Sequence, residues 1–275
     1  MKNVLFHHSY LTEDLGTWSS ILLEQLSLIE TTNLVDNLDH ARFVAIGKKY
    51  QFEIFSDICN QFFPNKNNIE FVESSFANEA EMIVHTMKID SHNDRMSENY
   101  TMKKIAEYCN QETDVNILYI HMKGVTLNEK YLKNKMNYRP DLAKVYHYWR
   151  KYIQWGVIKN WQLCTEALKN YDIAGCNFFV SPAPHFSGGF WWATCRHINR
   201  LPPIESSEWF LSLKNSSPDD NFKNWTGDRM KAEMWPCSDS NTRVFSVHSP
   251  PDHIVHTRPY YPFEYEGKQN SLDTL

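Results

Sequence analysis

The sequence predicts a single mixed α/β domain on a mostly parallel central sheet, with an irregular C-terminal third. Short apolar runs alternate with helical periodicities over the first 125 residues, and no repeat or linker divides the 275-residue chain. Beyond Ser181 regular periodicity gives way to Pro, Gly and aromatic residues. The composition, 42% hydrophobic and 22% charged, excludes disorder, collagen and coiled coil. Aromatic residues reach 14%, with nine Trp, whereas Gly also numbers only nine, so each glycine is informative.

Taken in order, Asn3 to His8 reads as a buried strand, and Trp18, Ile21, Leu22, Leu26 and Ile29 follow at helical spacing. Ala41 to Ile46 is a second strand, 51–61 a helix, and Ile69 to Val72 a third strand. Ser97 or Asn99 caps a helix running to Cys109, and Val115 to Ile120 is the clearest central strand. After Pro140, the residues Leu142, Val145, Trp149, Ile153, Val157, Trp161, Cys164 and Leu168 predict one long helix. Tyr171 to Asn177 returns to the sheet, and Ser181 to Trp192 has the character of a shaped loop. Residues 202–227 read as an exposed polar excursion, Arg243 to Val247 as a last strand, and the tail from Ser249 as a surface wrap.

A net charge of −5 argues against general affinity for nucleic acid or anionic membranes, which leaves small molecules or sugars as partners. The cysteines, at 59, 109, 164, 176, 195 and 237, form no CxxC pair, so free thiols in a reducing compartment are expected. The N-terminus lacks the apolar stretch of a signal peptide, and no run approaches a membrane span, so a cytoplasmic protein is expected. On that expectation the sequons at Asn99 and Asn224 carry no glycan.

Ligands of open α/β sheets bind at the carboxyl ends of the strands. Two strands end there in histidine clusters, His7-His8-Ser9-Tyr10 and His121-Met122-Lys123-Gly124, either as phosphate-binding groups or as ordinary polar strand ends. Neither a dinucleotide fingerprint nor a P-loop is present. In Pro184 to Trp192 two glycines adjoin three aromatics, a pattern suited either to stacking on sugar rings or to a buried bend. Arg229 and Glu233 lie four apart on a helical segment and are positioned to pair. His248, His253 and His256 are spaced as metal ligands can be, but Pro250-Pro251 implies no regular geometry for them.

Taken together, Tyr119 to Gly124, Trp149-Arg150, Gly175-Cys176-Asn177, His185 to Trp192 with Leu201-Pro202, and Ala232 to Trp235 resemble a family of small glycosyltransferase-like proteins of bacterial polysaccharide clusters and large DNA viruses. Phe6 to Tyr10 and Trp18 also match, so the resemblance covers most of residues 1–260, and it is distantly similar to rhamnan synthesis protein F. The resemblance implies a glycosyltransferase A-type fold. Residues 1–125 would form the nucleotide-sugar half, 126–248 the acceptor and catalytic half, and 249–275 a tail.

The family's usual Asp-x-Asp motif is missing, and His121-Met122-Lys123 stands in its place. The resemblance therefore puts His8, His121, Lys123, Gly124, Arg150 and His248 on the donor diphosphate. It puts His185, Ser187, Gly188, Gly189, Phe190, Trp191 and Trp192 on the acceptor side, and Glu233 as the base of an inverting transfer. The resemblance fixes no cofactor. A divalent metal, Mn or Mg, stays open through His248. The implied partners are a nucleotide-sugar donor and a glycan or other hydroxyl acceptor. An inactive carbohydrate or nucleotide binder and a metal-dependent hydrolase are the competing classes.

Overall fold

The computed structural model describes residues 1–74, 97–125, 141–224, 229–250 and 254–272. A seven-stranded sheet runs through them in the order β3-β2-β1-β4-β8-β5-β9. Its first four strands are β1 (Lys2–Tyr10), β2 (His40–Gly47), β3 (Asn67–Glu73) and β4 (Val115–His121), all parallel. In the second half β5 (Ile173–Gly175) and β9 (Val244–Ser246) are parallel, and β8 (Trp191–Thr194) runs antiparallel between β4 and β5. The strands β6 (Phe178–Phe179) and β7 (His185–Phe186) pair in a separate small hairpin.

Strand alternation sends successive side chains to opposite faces. Leu5, Leu118 and Trp192 therefore enter one core with Trp18, Leu22, Phe43 and Phe55. Phe6, Tyr119 and Trp191 enter the other with Ile105 and Trp235. The first core is covered by α1 (Leu15–Thr31), α2 (Leu34–Asn37) and α3 (Lys49–Phe62). Asp14 caps α1 by accepting the Thr17 backbone N–H, so the stripe from Trp18 to Ile29 falls inward as its spacing predicts. The second core is covered by α4 (Glu98–Cys109), which starts after Ser97.

The segment expected as one long helix is interrupted. Helix α5 (Leu142–Gln154) widens into a π turn over Trp155–Lys159, and the chain re-enters α6 (Trp161–Ala167) after Asn160. Gly156 sits at the widening with no room for a side chain, since an added Cβ would lie 2.2 Å from that of Cys176. Trp161 is only half-buried and is tethered through its indole N–H to the Thr32 carbonyl.

Four further expectations are corrected. Cys109 and Cys195 form a disulfide joining the end of α4 to the start of α7 (Cys195–Ile198). Their separation of 86 residues hides the pairing from any short-spacing motif. The supposed polar excursion contains α8 (Glu208–Ser216) and α9 (Asp220–Lys223), whose Phe210 and Phe222 bury with Ala183 and Met234. The supposed shaped loop ends in β8, a sheet strand. The tail does more than wrap the surface: Val255 of α11 (Ile254–Thr257), Tyr260 and Tyr265 belong to the first core. Trp225, Thr226, Asp228 and His253 lie outside the described residues. Among the described residues no helix is long and apolar enough to cross a membrane.

Candidate active site

Strand order reverses where β1 is flanked by β2 on one side and β4 on the other, and ligands of open sheets bind at the carboxyl side of such a point. His8 and His121 are register partners there. One residue earlier, His7 donates from Nε2 to Gln25 Oε1 at 2.9 Å, and the Gln25 amide donates to the His121 carbonyl at 2.9 Å. Helix α1 is thereby pinned to both strand ends. His7 Nδ1 accepts from Ser9 at 2.7 Å. Burial pushes His7 down to about 3 and His8 down to about 4, so both rings are neutral at pH 7. His8 bonds Thr101 at 2.8 Å. A neutral ring has one N–H to offer a diphosphate and no positive charge.

His121 donates from Nε2 to the Gly188 carbonyl at 2.8 Å, which leaves Nδ1 facing Glu98 Oε1 at 3.9 Å. Burial lowers its pKa, against the pull of Glu98. Glu98 also accepts from the buried Tyr119 hydroxyl at 3.1 Å. Sequence reasoning missed Glu98, which is an ordinary first-turn acid of α4 until the fold brings it to β4.

Lys123 lies in the turn after β4 and is only 3% exposed. Its ammonium sits 3.9 Å from the Trp149 ring centroid and 3.5 Å from Glu233 Oε1. Glu233 comes from α10 (Arg229–Met234), so the acid expected to pair with Arg229 faces Lys123; the Arg229 side chain lies outside the described residues. Gly188 and Gly189 adopt φ of +101° and +74° and carry the β7–β8 turn between these groups. A Cβ on Gly188 would lie 2.9 Å from Ile153, and one on Gly189 would lie 3.5 Å from His121 and 3.8 Å from Glu233. The structure thus brings His121, Lys123, Gly124, Gly188, Gly189 and Glu233 together.

Other expected residues fall elsewhere. Arg150 does not face the site as a spare cation: it grips Glu24 through Nε at 3.1 Å and donates to the Lys123 carbonyl at 2.9 Å. It holds the Lys123 turn in place. Burial raises the Glu24 carboxyl, but the Arg150 bonds and charge outweigh this and hold it low. His248 turns its Nδ1 to the Tyr152 hydroxyl at 2.8 Å. Among the described residues no group of three His, Cys, Asp or Glu is placed to hold a metal ion, so His248 has no such group to join. Phe190, Trp191 and Trp192 are fully buried, Trp192 donating to the Val157 carbonyl at 2.8 Å, so none is available to stack on a sugar. His185 is buried against the Ala183 carbonyl, and buried Ser187 bonds His256 at 2.9 Å. His256 packs 4.3 Å from the Trp149 ring, which makes it a wall residue of the site that the sequence offered only as part of a histidine cluster.

A cavity of about 820 Å³ opens at the carboxyl ends of β1 to β3, lined by Glu13, Lys48, Lys49, Tyr50 and Glu73. Tyr50 is 66% exposed and offers an open ring face.

No curated protein matches the chain. Among solved structures, it is similar to 4-diphosphocytidyl-2C-methyl-D-erythritol synthase from Anaerococcus prevotii DSM 20548, at 10% identity over 90% of this chain and 87% of that one. The TM-score of 0.39 is too low for that enzyme's activity to bear on this chain. A family described as a domain of unknown function, DUF8361, matches residues 6–244. That match takes in β2 to β8 whole, β1 from Phe6 onward and the first residue of β9, and the chain belongs to the DUF8361 family.

Proposed function

We propose that this chain is a glycosyltransferase that moves a sugar from a nucleotide-sugar donor to a hydroxyl acceptor with inversion. The observation that carries the reading is the pairing of buried Lys123 with part-buried Glu233 at the point where strand order reverses. A buried ammonium needs a counter-charge. A diphosphate carries more negative charge than one carboxylate and competes with Glu233 for the ammonium, 3.5 Å away. The exchange stabilises the diphosphate and releases the carboxylate. Glu233 then takes the proton of the acceptor hydroxyl as its oxygen bonds the anomeric carbon and the carbon–oxygen bond to the diphosphate breaks with its electron pair. Attack from the face opposite the leaving group inverts the centre.

His121 holds the Gly188 carbonyl and so fixes the glycine turn against the reacting groups. The open cavity at the carboxyl ends of β1 to β3 suits the nucleoside, with Tyr50 available to stack on a base. Parallel β1–β4 followed by antiparallel β8 is compatible with a glycosyltransferase A-type fold.

The test is a thermal-shift screen against nucleotide sugars, with and without manganese, followed by two variants. Glu233→Gln is expected to keep donor binding and lose transfer by about 10²- to 10⁴-fold. Lys123→Ala is expected to lose affinity for nucleoside diphosphate by calorimetry. Near-native transfer by Glu233→Gln removes the base assignment. Donor binding with no transfer to any acceptor points to a nucleotide-binding protein without catalysis.

A further inference from the structure

The burial of Phe190, Trp191 and Trp192 leaves the site without the sugar-stacking surface that its sequence suggested. A different aromatic surface lies next to it. Tyr148 immediately precedes Trp149, the residue that carries Lys123, and the Tyr148 ring meets Tyr261 edge-on at 4.6 Å. Tyr261 in turn lies nearly parallel to Phe263, with ring planes 8° apart and centroids 5.7 Å apart. Phe263 is 79% exposed, the highest value among the exposed large hydrophobic side chains described. The Lys144 ammonium stands 5.6 Å from the Tyr261 ring, one helical turn before Tyr148.

This exposure is built into a rigid support. Residues 262–264 form a 3-10 turn, and Glu264 fastens it twice, accepting from Arg258 at 2.8 Å and from the Tyr261 backbone N–H at 2.9 Å. Tyr260 and Tyr265 anchor the flanks in the main core. The same stretch of tail places His256 on Trp149, so the platform and the wall of the candidate site share one support. A large apolar ring held open to water gains nothing for folding. Set on a fastened turn and stacked on Tyr261, it offers a flat apolar face with part of the ordering cost already met.

The geometry points to an acceptor platform: Phe263 and Tyr261, braced by Tyr148 and flanked by Lys144, bind a glycan chain through the apolar faces of its pyranose rings, with Lys144 donating to ring hydroxyls or carboxylates. The acceptor role rests on the transferase reading; the binding does not. Continuity with the candidate site favours a glycan over a lipid surface, because the tail that carries Tyr261 and Phe263 also sets His256 against Trp149, the ring under the Lys123 ammonium.

Calorimetry on the full chain tests this with β-1,4-linked glucohexaose, α-1,4-linked glucohexaose and the hexamer of N-acetylglucosamine. Uridine and guanosine diphosphate are titrated in parallel, and binding to phosphatidylcholine–phosphatidylglycerol vesicles is followed by sedimentation. The wild type is expected to bind at least one hexamer, Phe263→Ala to lose about tenfold in affinity, and Phe263→Tyr to retain it. Diphosphate binding stays unchanged in both variants. No hexamer binding by the wild type, or equal binding by Phe263→Ala, overturns the platform and leaves the transferase reading standing. Vesicle binding that depends on Phe263, without hexamer binding, overturns it in favour of a membrane. Hexamer binding through Phe263 with no diphosphate bound keeps the platform and removes the transferase reading.

Discussion

The two halves of the sheet are held together by different means. Strands β1 to β4 are 7–9 residues long and parallel, and backbone ladders with apolar side chains on both faces fix them. Strands β5, β8 and β9 are 3–4 residues long and mix directions, and β6 and β7, two residues each, pair apart from them. So few ladder bonds cannot hold an edge in place, and side chains replace them. Trp192 donates to the Val157 carbonyl, Trp235 to the Pro202 carbonyl, and Cys109 is bonded to Cys195. The candidate site lies on the seam: Lys123 comes from the long-strand half, and Glu233 and the glycine turn from the short-strand half. Its geometry therefore depends on the plugs of the weaker half.

The largest test of that contrast is Trp192→Ala, which removes a fully buried indole and orphans the Val157 carbonyl. It is expected to cost about 4–5 kcal/mol in urea unfolding. A tryptophan serving a ligand instead would cost affinity and little stability, so an unchanged midpoint would return Trp192 to the acceptor side. Next is the disulfide. Replacing both Cys109 and Cys195 with Ser is expected to cost about 3 kcal/mol, and reductant should lower the wild-type midpoint by the same amount while leaving the variant unmoved. A wild type indifferent to reductant would mean six free thiols.

The same contrast sets what the sequence discloses. The parallel half is legible because period and length point the same way: Val115 to Ile120 and the stripe from Trp18 to Ile29 each fit one element only. The other half is ambiguous because a two- to four-residue strand has no measurable period. Trp191 and Trp192, read beside Gly188-Gly189, suit a binding loop as well as a core strand, and only pairing with β4 decides between them. Lys123, His121 and Glu233 were recoverable through motif order, since each sits beside a recognisable element end. Glu98 and His256 were not, because their neighbours in the site are 23 residues away at His121 and 69 residues away at Ser187, and no local pattern encodes such contacts. The pairing of Arg150 with Glu24, 126 residues distant, is hidden for the same reason.

Acid titration separates the halves by a smaller effect. In the short-strand half Asp172 precedes β5 and accepts from the Arg243 backbone N–H at 2.9 Å and from the Arg243 guanidinium at 3.2 Å, with Arg200 at 3.2 Å. Burial raises its carboxyl, but these bonds and charges win and hold it at about 2, below the ordinary 3.8. A depressed carboxyl contributes stability above pH 3.8 that is lost as the pH falls toward 2. In the parallel half His8 is pushed the other way in charge, down to about 4 from 6.5, so the unfolded chain binds more protons between those values and stability falls as the pH drops through them. Asp172→Asn is therefore expected to cost about 1–2 kcal/mol at pH 7, discounted because Arg243 is largely exposed. The gap to wild type should stay constant from pH 7.5 down to about 4, even as both proteins weaken, because His8 titrates equally in each. His8→Gln should lessen that shared decline, with His7 keeping its own part of it, without closing the gap. If the gap between Asp172→Asn and wild type already closed between pH 6.5 and 4, the Asp172 staple would not be what fastens β5 to β9.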